Sequence, residues 1–143
     1  MQLNLTTDYA IRIIHYLCEN GKTSSSELSN QLGISQNYIR KLMTKTALQD
    51  FVESYAGSNG GFQIKNECQT IVLRDIVEAM EGKIYINKCL ESQDCCDNCM
   101  RTQEECLIRE IYENMQSIVE HQFESMVFTV ADDKEEAVIH VCR

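Results

Sequence analysis

Two short helical patterns hinged at a glycine, followed at once by two β-rich runs around a Gly/Asn turn, constrain this chain more than any other feature. In SSELSNQLG, Ser24 and Glu27 form a capping-box signal, and Leu28 and Leu32 fall on the inward side. Gly33 permits a sharp break in the chain. Ser35 then caps QNYIRKLMTKTALQD, a helix predicted over residues 36–50 with Ile39, Leu42, Met43 and Leu48 facing the core. Next come FVES and FQIK, on either side of YAGSNGG, the signature of a hairpin. An amphipathic helix precedes them all: TTDYAIRIIHYLCENG sets Ala10, Ile13, Ile14, Leu17 and Cys18 at i, i+3, i+4 spacing, with Thr6 or Thr7 as cap and Gly21 as terminator. Helix, helix, turn, helix and hairpin in that order predict a mainly α winged helix–turn–helix with a small β-wing.

The exposed positions of the third helix carry suitable chemistry for DNA. Gln36, Asn37 and Arg40 have the donors and acceptors that read base edges, while Ser35, Tyr38, Lys41 and Lys45 suit phosphates. Ser58 and Asn59 stand at the tip of the expected wing. A solvated polar face would show similar residues, and it is the hairpin after the third helix that favours DNA. Net charge is −9, which is unusual for a nucleic-acid binder. Residues 1–66, however, hold six Lys/Arg against five Asp/Glu, so the acidity belongs to the second half. Binding is therefore expected to depend on salt and to be weak away from a specific site.

Eight cysteines require an explanation, and five of them crowd into residues 89–106. Such crowding favours metal or redox chemistry over structural disulfides. Cys18, Cys68 and Cys142 stand alone and read as buried or inert thiols. Upstream of the crowd, TIVLRDIVEAMEG predicts a helix capped by Thr70, with Leu73, Ile76, Val77 and Met80 inward and Gly82 as its end; KIYINK follows as a short extended run. The segment CLESQDCCDNCMRTQEEC is polar and has almost nothing to bury, so a bound centre is a natural source of its order. Its spacings are C-x5-C at 89–95, C-x2-C at 96–99 and C-x6-C at 99–106. Thiolates are soft ligands for iron–sulfur clusters and for zinc.

Thr102 and Glu105 form a second capping box, launching a helix predicted from about 103 to 128. Leu107, Ile108, Ile111, Met115, Ile118, Val119, Gln122 and Met126 form its stripe, and pairing with a second copy is favoured over packing within one domain. A homodimer places two recognition helices on the half-sites of a near-palindromic duplex. The resulting division is residues 1–82 as winged helix, 83–102 as cysteine-rich loop, and 103–143 as dimerisation helix and tail. No role is assigned to ADDKEEAVIHVCR. Apolar runs are too short to span a bilayer, and the first residues lack the basic and small-residue marks of a signal peptide, so a cytoplasmic location without membrane contact is expected. Phosphate loops, dinucleotide glycine motifs and zinc-protease signatures are missing, and His15, His121 and His140 read as structural or solvated, so no enzymatic activity is expected.

From LTTDYAIRII through LGISQNYIRKLM to GSNGGFQI and the cysteine segment, residues 1 to about 128 resemble the IscR/NsrR-type winged-helix regulators. The resemblance implies a homodimeric cytoplasmic transcription regulator. Many such regulators hold a 2Fe–2S or 4Fe–4S cluster and sense cluster supply, iron, nitric oxide or oxidants. By similarity Cys89 is the first ligand and Cys106 the last. The middle ligand lies among Cys95, Cys96 and Cys99, and the CMR context favours Cys99. Asp8 stands where some nitric-oxide-sensing relatives take a fourth ligand from the partner subunit; by itself it is also an ordinary acid complementing a helix N-terminus. Two departures are evident. Ala56 replaces the arginine common before the first wing glycine, and Arg109 stands where some relatives place a ligating histidine. The alternatives are the same module with zinc or bare redox-sensing thiols, or a protein-binding adaptor without DNA binding.

Overall fold

Asn4 starts the first helix. Its side chain accepts from the Thr7 amide at 2.9 Å and, at 3.2 Å, from the Thr7 hydroxyl, capping α1 (Leu5–Asn20). The expected caps are thereby corrected: Thr7 is fully buried, and the Thr6 hydroxyl is bonded to Tyr38 at 2.8 Å. The predicted stripe Ala10, Ile13, Ile14, Leu17 and Cys18 forms the centre of the core. The structure, a computed structural model, describes residues 2–45, 48–92, 106–131 and 140–141.

Ser24 caps α2 (Ser25–Leu32), accepting from the Glu27 amide at 3.2 Å. Gly33, at φ 68°, makes the left-handed turn that most side chains resist. Ser35 caps α3, which runs Gln36–Met43 and is shorter than the expected 36–50. The Thr44 hydroxyl bonds back to the Lys41 carbonyl at 3.0 Å, ending the helix; Leu48 reaches the core from the turn that follows and is fully buried.

Strands β1 (Val52–Tyr55) and β2 (Gly61–Ile64) pair antiparallel as the wing, with Val52 opposite Ile64 and Tyr55 opposite Gly61. A Cβ on Gly61 would collide with the Thr23 carbonyl, and one on Gly60 would lie 2.5 Å from the Tyr55 carbonyl. Glycine here lets β2 approach the chain before α2, where Thr23 and Phe62 exchange backbone hydrogen bonds of 2.9 and 2.8 Å. The wing is thus fastened to the helix–turn–helix by main chain.

Three further expectations are corrected. Thr70 does not cap a helix; it opens strand β3 (Thr70–Val72), and α4 spans Leu73–Glu81. KIYINK is not a strand but an irregular segment leading to a single 3-10 turn, Lys88–Leu90. The long helix α5 runs Leu107–Ser125 and gives way to strand β4 (Met126–Thr129), which pairs with β3 as Ile71 opposite Phe128. Strand β5 (His140–Val141), part of the tail left without a role, pairs with β4. The run Met-Val-Phe-Thr suits a strand, and β3 offers it an edge. This small sheet returns the chain to α1, where the Ala131 amide donates to the Cys18 carbonyl at 2.9 Å.

The described helices include none that is long and apolar enough to cross a membrane.

Candidate nucleic-acid interface and cysteine junction

Ile39, Leu42 and Met43 commit one side of α3 to the core, so its opposite side must face solvent. Asn37, Arg40 and Lys41 are exposed there at helical spacing, and exposed Ser35 and Lys45 mark its two ends. Tyr38 lies differently: its ring meets Tyr9 edge-on at 5.6 Å and its hydroxyl meets Thr6, joining α3 to α1. The wing tip, with exposed Ser58 and Asn59, borders the same groove, whose volume is about 630 Å³. Gln36, Arg40 and Thr44 line one wall, and Ser25 forms part of its α2 side.

Two contacts brace Tyr55, the last residue of β1 before the wing turn. Lys22 Nζ sits 4.3 Å from the Tyr55 ring centroid, and the Tyr55 hydroxyl donates to Glu53 at 2.7 Å. That hydrogen bond raises the phenol's pKa. Gln36 Nε2 and Arg40 Nε both donate to the Ser25 hydroxyl, at 3.0 and 3.2 Å. Ser25 was not among the residues expected to matter; its only mark in the sequence is its place beside the cap in a run of serines.

The cysteines divide by environment. Cys18 is almost wholly buried, and burial pushes its thiol up to about 12, so it stays protonated and unreactive. Cys68 donates to the Asp50 carbonyl at 3.4 Å. Cys89 and Cys106 are half-buried at either end of the loop. Cys106 immediately precedes α5 as its N-cap residue. One turn into α5, Arg109 donates to the Cys89 carbonyl at 2.6 Å and pairs with Glu113 at 2.7 Å. The turn carrying Cys89 is therefore held against the start of the helix that Cys106 opens. Seven residues further along α5, Gln116 accepts from the Ile86 amide at 2.9 Å and donates to the Ile84 carbonyl at 2.8 Å. Positions seven apart share a helix face, so Arg109 and Gln116 grip one segment from one side. The shared face is legible in the sequence, but the segment it grips is not.

Cys95, Cys96 and Cys99, with the Thr102–Glu105 capping pair, lie outside the described residues. Among the described residues no three His, Cys, Asp or Glu side chains converge as a metal site. Asp8, in the first turn of α1, pairs with Arg12 at 2.8 Å on the surface. His15 packs edge-on against Phe128 at 5.8 Å, in keeping with a structural role. On another side of α5, Leu107, Ile108, Ile111, Met115 and Ile118 remain exposed, Leu107 by 74% and Ile118 by 64%. Exposed apolar rows of this length are characteristic of interaction faces.

The Rrf2 family model, described as an iron-dependent transcriptional regulator, matches residues 3–132. Among solved structures, CymR (YrzC), the global cysteine regulator of B. subtilis, is similar at a TM-score of 0.67 and 22% identity, over 87% of this chain and 91% of that one. T. potens IscR is similar at 0.62 and 17% identity, over 89% and 82% of the two chains. The oxidized form of Staphylococcus aureus CymR gives 0.59 and 17%, over 87% and 90%. At such identities the structures show a shared fold, and the family model supplies the kinship. The chain belongs to the Rrf2 family of transcriptional regulators.

Proposed function

We propose that this protein is a homodimer that represses transcription from a near-palindromic operator, and that an iron–sulfur cluster held by its cysteine loop controls its DNA affinity. The DNA reading is carried by one observation: Asn37, Arg40 and Lys41 stand exposed on α3, and Arg40 shares a single groove with the wing residues Tyr55 and Ser58. An α-helix presenting such side chains fits a major groove. The apolar row of α5 is the face on which a second copy pairs, setting the two α3 helices on successive half-sites.

The cluster reading is supported by soft donors at both ends of the loop. Cys89 and Cys106 would be the outer ligands, with Cys99 or Cys95 between them and Asp8 from the partner copy as a fourth. Bound there, a cluster supplies a centre whose integrity depends on iron, oxidants and nitric oxide. The rest belongs to the protein: Arg109 and Gln116 transmit the position of the Cys89 segment to α5. Zinc fits the same donors. A thiol-only sensor is the second reading, favoured by the juncture of Cys89 with the start of α5. In that case two thiols lose two electrons and two protons to an oxidant such as a peroxide and form one disulfide.

Two measurements test this. Iron, sulfide and zinc analysis of anaerobically purified protein, with its visible spectrum, should return iron and sulfide; zinc alone or no metal would overturn the cluster. A duplex selected by the protein from a randomised pool should bind Asn37→Ala and Arg40→Ala variants more weakly, by roughly 1–3 kcal/mol for a lost base contact. Full affinity and preference in both variants would remove α3 as the reader.

A further inference from the structure

Two of the side chains that face the groove converge on one oxygen. The Ser25 hydroxyl accepts from Gln36 Nε2 at 3.0 Å and from Arg40 Nε at 3.2 Å. A serine hydroxyl has two acceptor sites, so both are filled. The cap of α2 does not require this side chain, because Ser24 performs that task for the Glu27 amide. Ser25 is half-buried on α2, across the groove from the wing, and joins the two helices of the helix–turn–helix through side chains alone.

We propose that Ser25 is a positioning residue for sequence readout, holding Gln36 and Arg40 in the conformations in which α3 offers them to base edges. This rests on the role proposed above for α3. With Nε engaged, Arg40 keeps its two terminal nitrogens, the fork that matches O6 and N7 of guanine. Gln36 keeps its carbonyl oxygen and a second N–H, the acceptor and donor that adenine requires. A neutral hydroxyl orders the guanidinium without cancelling its charge, as a carboxylate would. Among the described residues, Arg40 forms no ion pair. Released from Ser25, both long side chains would sample many rotamers, and ordering them again on DNA costs affinity.

The test uses the full chain and two duplexes: one selected from a randomised pool by the unaltered protein, and an unrelated one of equal length. Ser25→Ala is expected to weaken binding to the selected duplex about 5-fold or more. Binding to the unrelated duplex and the slope of affinity against salt should not change, since the phosphate-facing charges remain. Ser25→Thr should restore the selected affinity. Combining Ser25→Ala with Arg40→Ala should cost less than the product of the two separate losses, because they act through one contact. Wild-type affinity and preference in Ser25→Ala, equal losses on both duplexes, or multiplicative losses with both Arg40→Ala and Gln36→Ala would each overturn the proposal. Should Gln36→Ala and Arg40→Ala themselves bind and discriminate as wild type, the reading of α3 falls and this role with it. Should they fail while Ser25→Ala behaves as wild type, only the role of Ser25 is lost.

Discussion

At the scale of single residues, the four described cysteines differ in their surroundings. Cys18 is a core side chain, and its elevated pKa leaves almost no thiolate at neutral pH. Cys89 and Cys106 are partly accessible at a junction held by the Arg109 guanidinium. Replacing Cys89 or Cys106 with alanine is therefore expected to abolish iron and sulfide retention. Cys18→Ala should retain both and lose about 1 kcal/mol of stability, the ordinary cost of a small core truncation. Metal analysis and denaturant titration read the two effects separately; full iron in either loop variant would remove that cysteine from the ligand set. Alkylation of the native metal-free protein at pH 8 should label Cys89 well before Cys18.

At the scale of elements, α5 has two working sides. One grips the segment that holds Ile84, Ile86 and Cys89, and the other carries Ile108, Ile111, Met115 and Ile118 into solvent. Glutamate at both Ile111 and Ile118 is expected to convert a dimer to a folded monomer and to weaken operator binding. Sedimentation and mobility shift check this, and a variant that stays dimeric would place the interface elsewhere. Gln116 bonds Ile84, Ile86 and Glu120 at once. Its replacement by alanine strands partly buried backbone groups, for an expected loss of about 1–3 kcal/mol. Loosening of the Cys89 segment should also speed cluster loss to a chelator. An unchanged chelation rate would show that the grip does not serve the loop.

For the whole molecule, the issue is how the loop and α3 are coupled. Arg109 and Gln116 tie the loop to α5; α5 continues into β4; β4 pairs with β3, and the chain after it bonds to α1; and α1 meets α3 through Thr6 and Tyr38. Loss of a cluster at the loop is expected to change operator affinity by roughly 5–150-fold, a coupling of about 1–3 kcal/mol. Asp8 pairs with Arg12 at the surface, where such a pair contributes little, so this pair does not oppose the ligand role proposed for Asp8. Asp8→Ala should then narrow the difference between loaded and cluster-free protein. Identical binding curves for the two forms at matched salt would refute the sensing model while leaving DNA binding in place.

The local signals in the sequence determined the elements of the winged half. Apolar spacing identified the buried face of α1 and α3, Ser24 and Ser35 marked helix starts, Gly33 marked the turn, and the Gly/Asn run marked the wing. These features depend on neighbours a few residues away, so a linear reading reaches them. Two of the misplaced boundaries depended on distant partners. Thr70 became a strand residue because Thr129 lies opposite it, and α5 ended at Ser125 because β3 offered an edge to the residues that follow. The candidate site divides in the same way. Asn37, Arg40 and Lys41 were legible from helical period and chemistry. The hydroxyl of Ser25 beneath Gln36 and Arg40, and the grip of Arg109 and Gln116 on the Cys89 segment, were not. Side-chain hydrogen bonds between elements leave no periodic trace in a sequence, and only tertiary packing decides which donor meets which acceptor.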